Sequence, residues 1–197
     1  MAPRAQETRA RIVATAAEQL GLIGLVSLTV GRVAAAARTS TALVHYHFDT
    51  KRALLLAAAE KLAAARERDL AAAMTHGTGL ATLDRLWEVV HARAQSGAER
   101  GRFELALAAR GNEELSAPLE RHRREEIAAL GRRLPVLLRE LGSGLTGPAE
   151  DVAETVAAQL DGATLALATG RAAPDVRAAY DAFWLTVIAA GQGAPRR

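Results

Sequence analysis

His122 and Glu126 stand four residues apart, a spacing that on a helix sets both side chains on one face, where they could share a metal ion. Two ligands without a third or fourth nearby do not make a site. Arg121, Arg123, Arg124 and Glu125 form the i, i+4 charge lattice of a solvated helix face around them, so no metal is expected. His45 and His47, two apart, would point their rings in different directions on a helix. No serine elbow, glycine-rich phosphate loop or His-Glu-x-x-His pattern occurs. His91, Glu104 and His122 are scattered, so catalysis is not expected and no cofactor is called for. What remains is hydrogen bonding by His45 and Tyr46, displayed on a helix otherwise made of small residues.

The elements that would position these groups are helices. Half of the 197 residues are apolar and only 4% are aromatic, and abundant alanine has the best helix propensity. The fold class expected is all-α, with one sizeable core or one core and a smaller satellite. The absence of cysteine removes disulfides and thiolate metal sites and any need for an oxidising compartment. Charges at Arg4, Glu7, Arg9 and Arg11 argue against a signal peptide, and no later stretch approaches a membrane span of about 20 apolar residues. The location expected is cytoplasmic, with no membrane partner. Residues 1–52 hold seven basic side chains against three acidic ones within a chain of net charge +3. A basic head on a near-neutral body suits a polyanion held at one end.

Helix punctuation parses the chain. The first helix is expected from about Thr8 to Leu22, with Gly24 closing it in a left-handed conformation. A second follows the capping hydroxyl of Thr29 from Val30 to Ala37, and a third runs from near Ser40 to Tyr46. Val30, Val33, Ala34, Leu43, Val44 and Phe48 would close a small core against the first helix. A long helix then runs from Thr50 to about Met74, and His76-Gly77-Thr78-Gly79 ends it. The body continues as helices near Leu80–Ser96, Gly101–Arg110, Pro118–Leu141, Pro148–Thr169 and Pro174–Ala190. Each of these last three prolines falls in a first turn, whereas Pro135 should kink or divide its helix after Leu134.

Two short helices joined by a few residues match the geometry in which a recognition helix enters the DNA major groove. More specifically, Thr8-Arg9-Ala10-Arg11-Ile12, then Gly24, Thr29 and Val33-Ala34, then Val44-His45-Tyr46-His47-Phe48-Asp49-Thr50-Lys51-Arg52-Ala53-Leu54 resembles the N-terminal signature of the TetR family of transcriptional regulators. The resemblance covers about residues 8–56. It implies an N-terminal three-helix helix-turn-helix domain (1–50) joined by a long helix to a helical ligand-binding and dimerisation domain (51–197). It implies a ligand-responsive repressor that binds a palindromic double-stranded DNA operator as a homodimer and responds to a small-molecule effector.

Position by position, the resemblance places Ser40, Thr41, Ala42, His45 and Tyr46 toward the groove. Hydroxyls and imidazole can bond base edges there, while Ala42 and the Tyr46 ring pack on thymine methyls. Thr29, Thr39, His47 and Lys51 are placed to hold phosphates. This chain departs from the family at the turn, where Arg38 replaces the usual glycine and is penalised if φ is positive. Gly31 stands where some relatives carry a base-reading side chain. The alternative is a helical protein–protein adaptor without DNA binding, whose basic head is incidental.

The body offers two further candidates. Trp87 and His91 share a helical face with Leu83, and Phe103 and Leu107 repeat the spacing. An aromatic beside an imidazole suits a mostly apolar ligand cavity. The last two long helices carry Leu160 and Leu167, then Tyr180, Phe183, Trp184 and Val187, with more apolar surface than one core needs. They are the expected dimer interface, as a four-helix arrangement.

Overall fold

The computed structural model describes residues 3–75 and 77–192. The expected break at His76 lies in part outside them. The described residues form helices and no strand, in the order α1 (Pro3–Ser27), α2 (Val30–Ala36), α3 (Thr41–His47), α4 (Lys51–Thr75), α5 (Leu80–Gln95), α6 (Ala98–Ala108), α7 (Glu113–Glu140), α8 (Ala149–Ala168) and α9 (Ala173–Gly191). They pack as two compact units, one of residues up to Ala65 with Ser96–His122, the other of Arg66–Gln95 with the chain from Arg123 onward. This division by packing differs from the division at residue 50 that the motif suggests. Helix α6 and the start of α7 join the N-terminal helices because α6 lies directly on α1.

The first unit is held by Ile12, Ala16 and Leu20 of α1, Val33 of α2, Val44 of α3, Phe48, Leu54 and Ala58 of α4, and Leu105 of α6, all buried. Leu43, expected in this core, lies on the surface, because Val44 already occupies the inward face of the two-turn α3. Glycine makes the close approach of α1 and α6 possible. A Cβ on Gly21 would stand 2.9 Å from the Gly97 carbonyl oxygen, and one on Gly101 would stand 2.9 Å from the Leu20 Cβ. Gly24 has φ 75° and ψ 168°. It therefore breaks α1 in an extended-type conformation open to glycine, and not in the left-handed helical one expected. The segment Arg4–Ser27 reaches the length and hydropathy of a membrane crossing, yet Ile12, Ala16 and Leu20 are completely buried in the unit's own core.

The second unit closes around Leu86, Leu134, Val156, Leu160, Tyr180 and Trp184. Tyr180 donates its hydroxyl to the Leu83 carbonyl at 2.7 Å. Arg66 of α4, 2% exposed, meets Glu126 of α7 at 3.1 Å and Asp161 of α8 at 2.8 Å, and Arg123 bonds the second Asp161 oxygen at 3.0 Å. Two guanidinium groups and two carboxylates thus satisfy one another where solvent is largely excluded.

Pro118 is not in the first turn of α7, and Pro135 does not divide it. The helix begins at Glu113, so Pro118 lies inside it, and it continues through Pro135 to Glu140 without division. A helix-interior proline costs about 3 kcal/mol or more. Leu134, Leu137 and Leu138 are all buried there, and at roughly 1.5–3 kcal/mol for each side chain their packing outweighs that penalty.

Candidate nucleic-acid interface

Helices α2 and α3 are short and each starts on a hydroxyl. Thr29 Oγ1 accepts from the Arg32 N–H at 3.2 Å and Ser40 Oγ accepts from the Leu43 N–H at 3.1 Å, and Thr50 Oγ1 does the same for Ala53 at 3.0 Å. Such caps satisfy one of the amides that a helix start leaves unpaired. The oxygens of Thr29 and Ser40 are therefore already engaged within the chain, and their hydroxyl protons are what they can offer to DNA. Thr39, half-buried, links the two helices.

The turn is built on Arg38. The Arg38 N–H bonds to the Ala35 carbonyl at 3.1 Å and the Thr39 N–H bonds to the Ala34 carbonyl at 2.9 Å, which is the Schellman pair of helix-closing bonds. The same pair closes α7 at Gly142 and α8 at Gly170, both glycines with positive φ. At the corresponding position Arg38 has φ 51°, alone among the described non-glycine residues. The turn geometry is that of a glycine turn, occupied by an exposed arginine.

This turn sets α3 so that Val44 and then Phe48 face the core while Thr41, Ala42, His45 and Tyr46 face solvent. Tyr46 is 76% exposed, a large apolar ring held on the outside with the His47 ring edge-on at 5.2 Å. His47 is half-buried at the helix end, and Lys51 is exposed at the first residue of α4. Arg4, Arg9 and Arg11 of α1 and Arg32 of α2 are exposed, and Arg9 lies over the Phe48 ring at 5.0 Å. Arg52 is paired with Glu114. Arg32 lies in the first turn of α2, beside Gly31. The arrangement presents hydrogen-bond donors and acceptors on one short helix, with exposed cations at Arg38 just before it and Lys51 just after it, which is what base edges and phosphates respectively require.

The body residues fall elsewhere. Trp87 is packed in the second unit's core against Tyr180, ring centroids 5.5 Å apart. The half-buried His91 stacks on it at 6.0 Å and 16°. Phe103 and Leu107 belong to the first unit, where Phe103 lies under Arg102 and Leu107 is exposed. Of the expected dimer residues, Leu160, Tyr180 and Trp184 are in the chain's own core. Leu167, Phe183 and Val187 lie half-buried at its margin. A periodic apolar face had to be buried, and the neighbouring helices of the same chain bury it. Glu126 is engaged by Arg66, and no group of three or more potential metal ligands occurs among the described residues.

Residues 12–58 match the family model for bacterial regulatory proteins of the tetR family. No curated protein matches the chain. Solved structures do. A TetR-family transcriptional regulator from Streptomyces coelicolor superposes with a TM-score of 0.74 at 18% identity, covering 95% of this chain and 97% of that one. The multidrug binding protein EbrR, solved with imidazole, gives 0.67 at 24% identity, covering 97% and 93%. A protein from Saccharomonospora viridis described as a transcriptional regulator, solved with choline, gives 0.73 at 21% identity, covering 90% and 95%. At such identities the likeness is one of fold.

Proposed function

We propose that this chain, whose residues 12–58 match the model for bacterial regulatory proteins of the tetR family, is a ligand-responsive repressor of that family which binds a palindromic operator as a homodimer. The observation that carries this reading is the exposed face of α3, with Thr41, Ala42, His45 and Tyr46, inside the matched segment. In this reading Ser40, Thr41, His45 and Tyr46 read base edges and Ala42 meets a thymine methyl. Thr29, Thr39, His47 and Lys51 hold phosphates, and Arg38 and Arg32 join them. Residues 1–50 are the DNA-binding domain and 51–197 the ligand-binding and dimerisation domain, and the protein works in the cytoplasm, where its operator lies.

The dimer face that fits best lies on α8 and α9 outside the chain's own core. Ala158, Gly162 and Leu165 of α8 are exposed, and so are Ala178, Ala182, Leu185 and Ala189 of α9. Nothing lies within 4 Å of where a Cβ on Gly162 would be. Small side chains let helices approach closely, and two such helices from each copy make a four-helix contact related by a twofold axis. Leu167, Phe183 and Val187 would form its margin. Ligand response is supported by the two fold neighbours solved with small molecules.

The test is gel retardation with the DNA flanking the protein's own gene. Saturable binding of a fragment containing an inverted repeat, as two subunits per site and with a steep salt dependence, is the expected result. No retardation of any fragment at low salt would leave the adaptor reading in its place.

A further inference from the structure

A groove of about 560 Å³ runs between α4 and α5 within the second unit, within the roughly 300–1,000 Å³ of small-molecule sites. Its floor is apolar, with Ala73 and Val89, and contains none of the residues named above. Its charges are arranged by depth. Arg93 is buried and bonds Asp69 at 2.7 Å, with side chains 8% and 48% exposed. Arg85 and Glu88 are exposed along it, and neither has an ion-pair partner among the described residues. The desolvated charge in the groove is therefore positive, while both carboxylates stand toward solvent, where water and salt screen them.

A second observation lies beside Arg85. A Cβ on Gly77 would stand 2.6 Å from Arg85 Nη1 and 2.9 Å from Thr82 Oγ1. The bare backbone of Gly77 thus lets both this guanidinium and this hydroxyl lie close against it. Thr82 is 1% exposed and its Oγ1 has no hydrogen-bond partner. Thr82 does not line the groove, so the group there that is open to a ligand oxygen is the exposed Arg85 guanidinium.

We infer that the α4–α5 groove is a binding site for a small apolar carboxylate. The alkyl part lies on Ala73 and Val89, and the carboxylate is held by Arg85 and competes with Asp69 for Arg93. A planar guanidinium takes a carboxylate by two parallel hydrogen bonds, and the groove contains no aromatic ring to hold a quaternary cation. The Arg93–Asp69 bond ties α5 to α4, the helix that starts directly after the recognition element. An incoming carboxylate would loosen that tie. This regulatory consequence rests on the ligand response proposed above; the binding itself does not.

Octanoate, octanol and octylammonium serve as matched probes, titrated calorimetrically into the full chain without DNA. Octanoate is expected to bind at least about tenfold more tightly than the other two. Arg85→Ala should weaken octanoate about tenfold, and Asp69→Asn should tighten it several-fold by removing the competing carboxylate. Both residues are exposed, so both variants keep the fold, and their melting curves check this. Equal binding of the three probes, or octanoate binding untouched by Arg85→Ala and weakened by Asp69→Asn, overturns the inference. Retardation of operator DNA with and without octanoate is scored separately. Octanoate binding without DNA binding overturns only the regulator reading, and DNA binding without octanoate binding overturns only the site.

Discussion

The main-chain N–H of Leu25 donates to the carboxylate of Glu104, 79 residues away in sequence. The contact sits where α1 breaks at Gly24, and Arg100 Nε bonds the other carboxylate oxygen at 2.7 Å. A Cβ on Gly24 would lie 2.8 Å from that carboxylate, so the backbone conformation and the access of Glu104 both require glycine there. One side chain of α6 thus satisfies the amide that the break exposes.

Acid should release this contact. The Leu25 N–H, and then Arg100, hold the Glu104 carboxyl below its usual range against the opposing effect of burial. A depressed folded-state value means that the stabilisation is present at neutral pH and down to the ordinary carboxylate range, and is lost as pH falls through the lowered value. Glu104→Gln should therefore melt below the parent protein at pH 7, with the gap closing in acid. A gap that stays constant between pH 7 and 3 would show that the charge plays no part.

Arg38→Gly should raise stability by about 1 kcal/mol, because it relieves a side chain held at positive φ. Urea unfolding reads this directly as a higher midpoint at unchanged slope. The same variant should weaken DNA binding if the guanidinium holds a phosphate, so stability and affinity are expected to move in opposite directions.

Lys51→Ala should lower affinity for operator and unrelated DNA alike and flatten the salt dependence by about one charge. His45→Ala and Tyr46→Ala should each cost roughly 1–3 kcal/mol on the operator alone. Competition assays with cognate and random duplexes distinguish the two patterns, and an equal loss by His45→Ala on both would remove its reading role.

If the proposed homodimer uses the outer face of α8 and α9, Leu165→Arg with Leu185→Arg should leave only monomers in sedimentation while the chain stays folded, because both residues are exposed; a parent protein that sediments as a monomer, or a double variant that still dimerises, removes this face. Leu160→Ala should behave differently. This residue is 1% exposed in the core, and its loss should cost about 2–5 kcal/mol of folding stability whatever the oligomeric state.

Arg38 illustrates how far the chain could be read without coordinates. Its departure from glycine was visible, and so was the consequence, because the bonds around it reach no further than Ala34 and Ala35. The capping hydroxyl of Thr29 was equally legible, since it reaches only three residues on; that of Ser40, read as facing the groove, caps α3 in the same way. The fate of the helix at Pro135 was not legible: a kink and a division were both expected from the local penalty, and α7 runs on undivided with Leu134, Leu137 and Leu138 buried.

The sequence by itself determined the all-α class, the basic head and the identity of the α2–turn–α3 element, all of which rest on composition or on contacts a few residues long. Only the tertiary structure decided what covers each apolar face. The spacing of Leu160, Tyr180 and Trp184 required burial but was silent on whether their own chain or a second copy supplied it. Helices of the same chain cover them, and the exposed face of Ala158, Gly162, Ala178, Ala182 and Ala189 is made of small side chains that carry almost no periodic signal. The bond between Leu25 and Glu104 and the groove between α4 and α5 arise between helices that sequence periodicity does not pair.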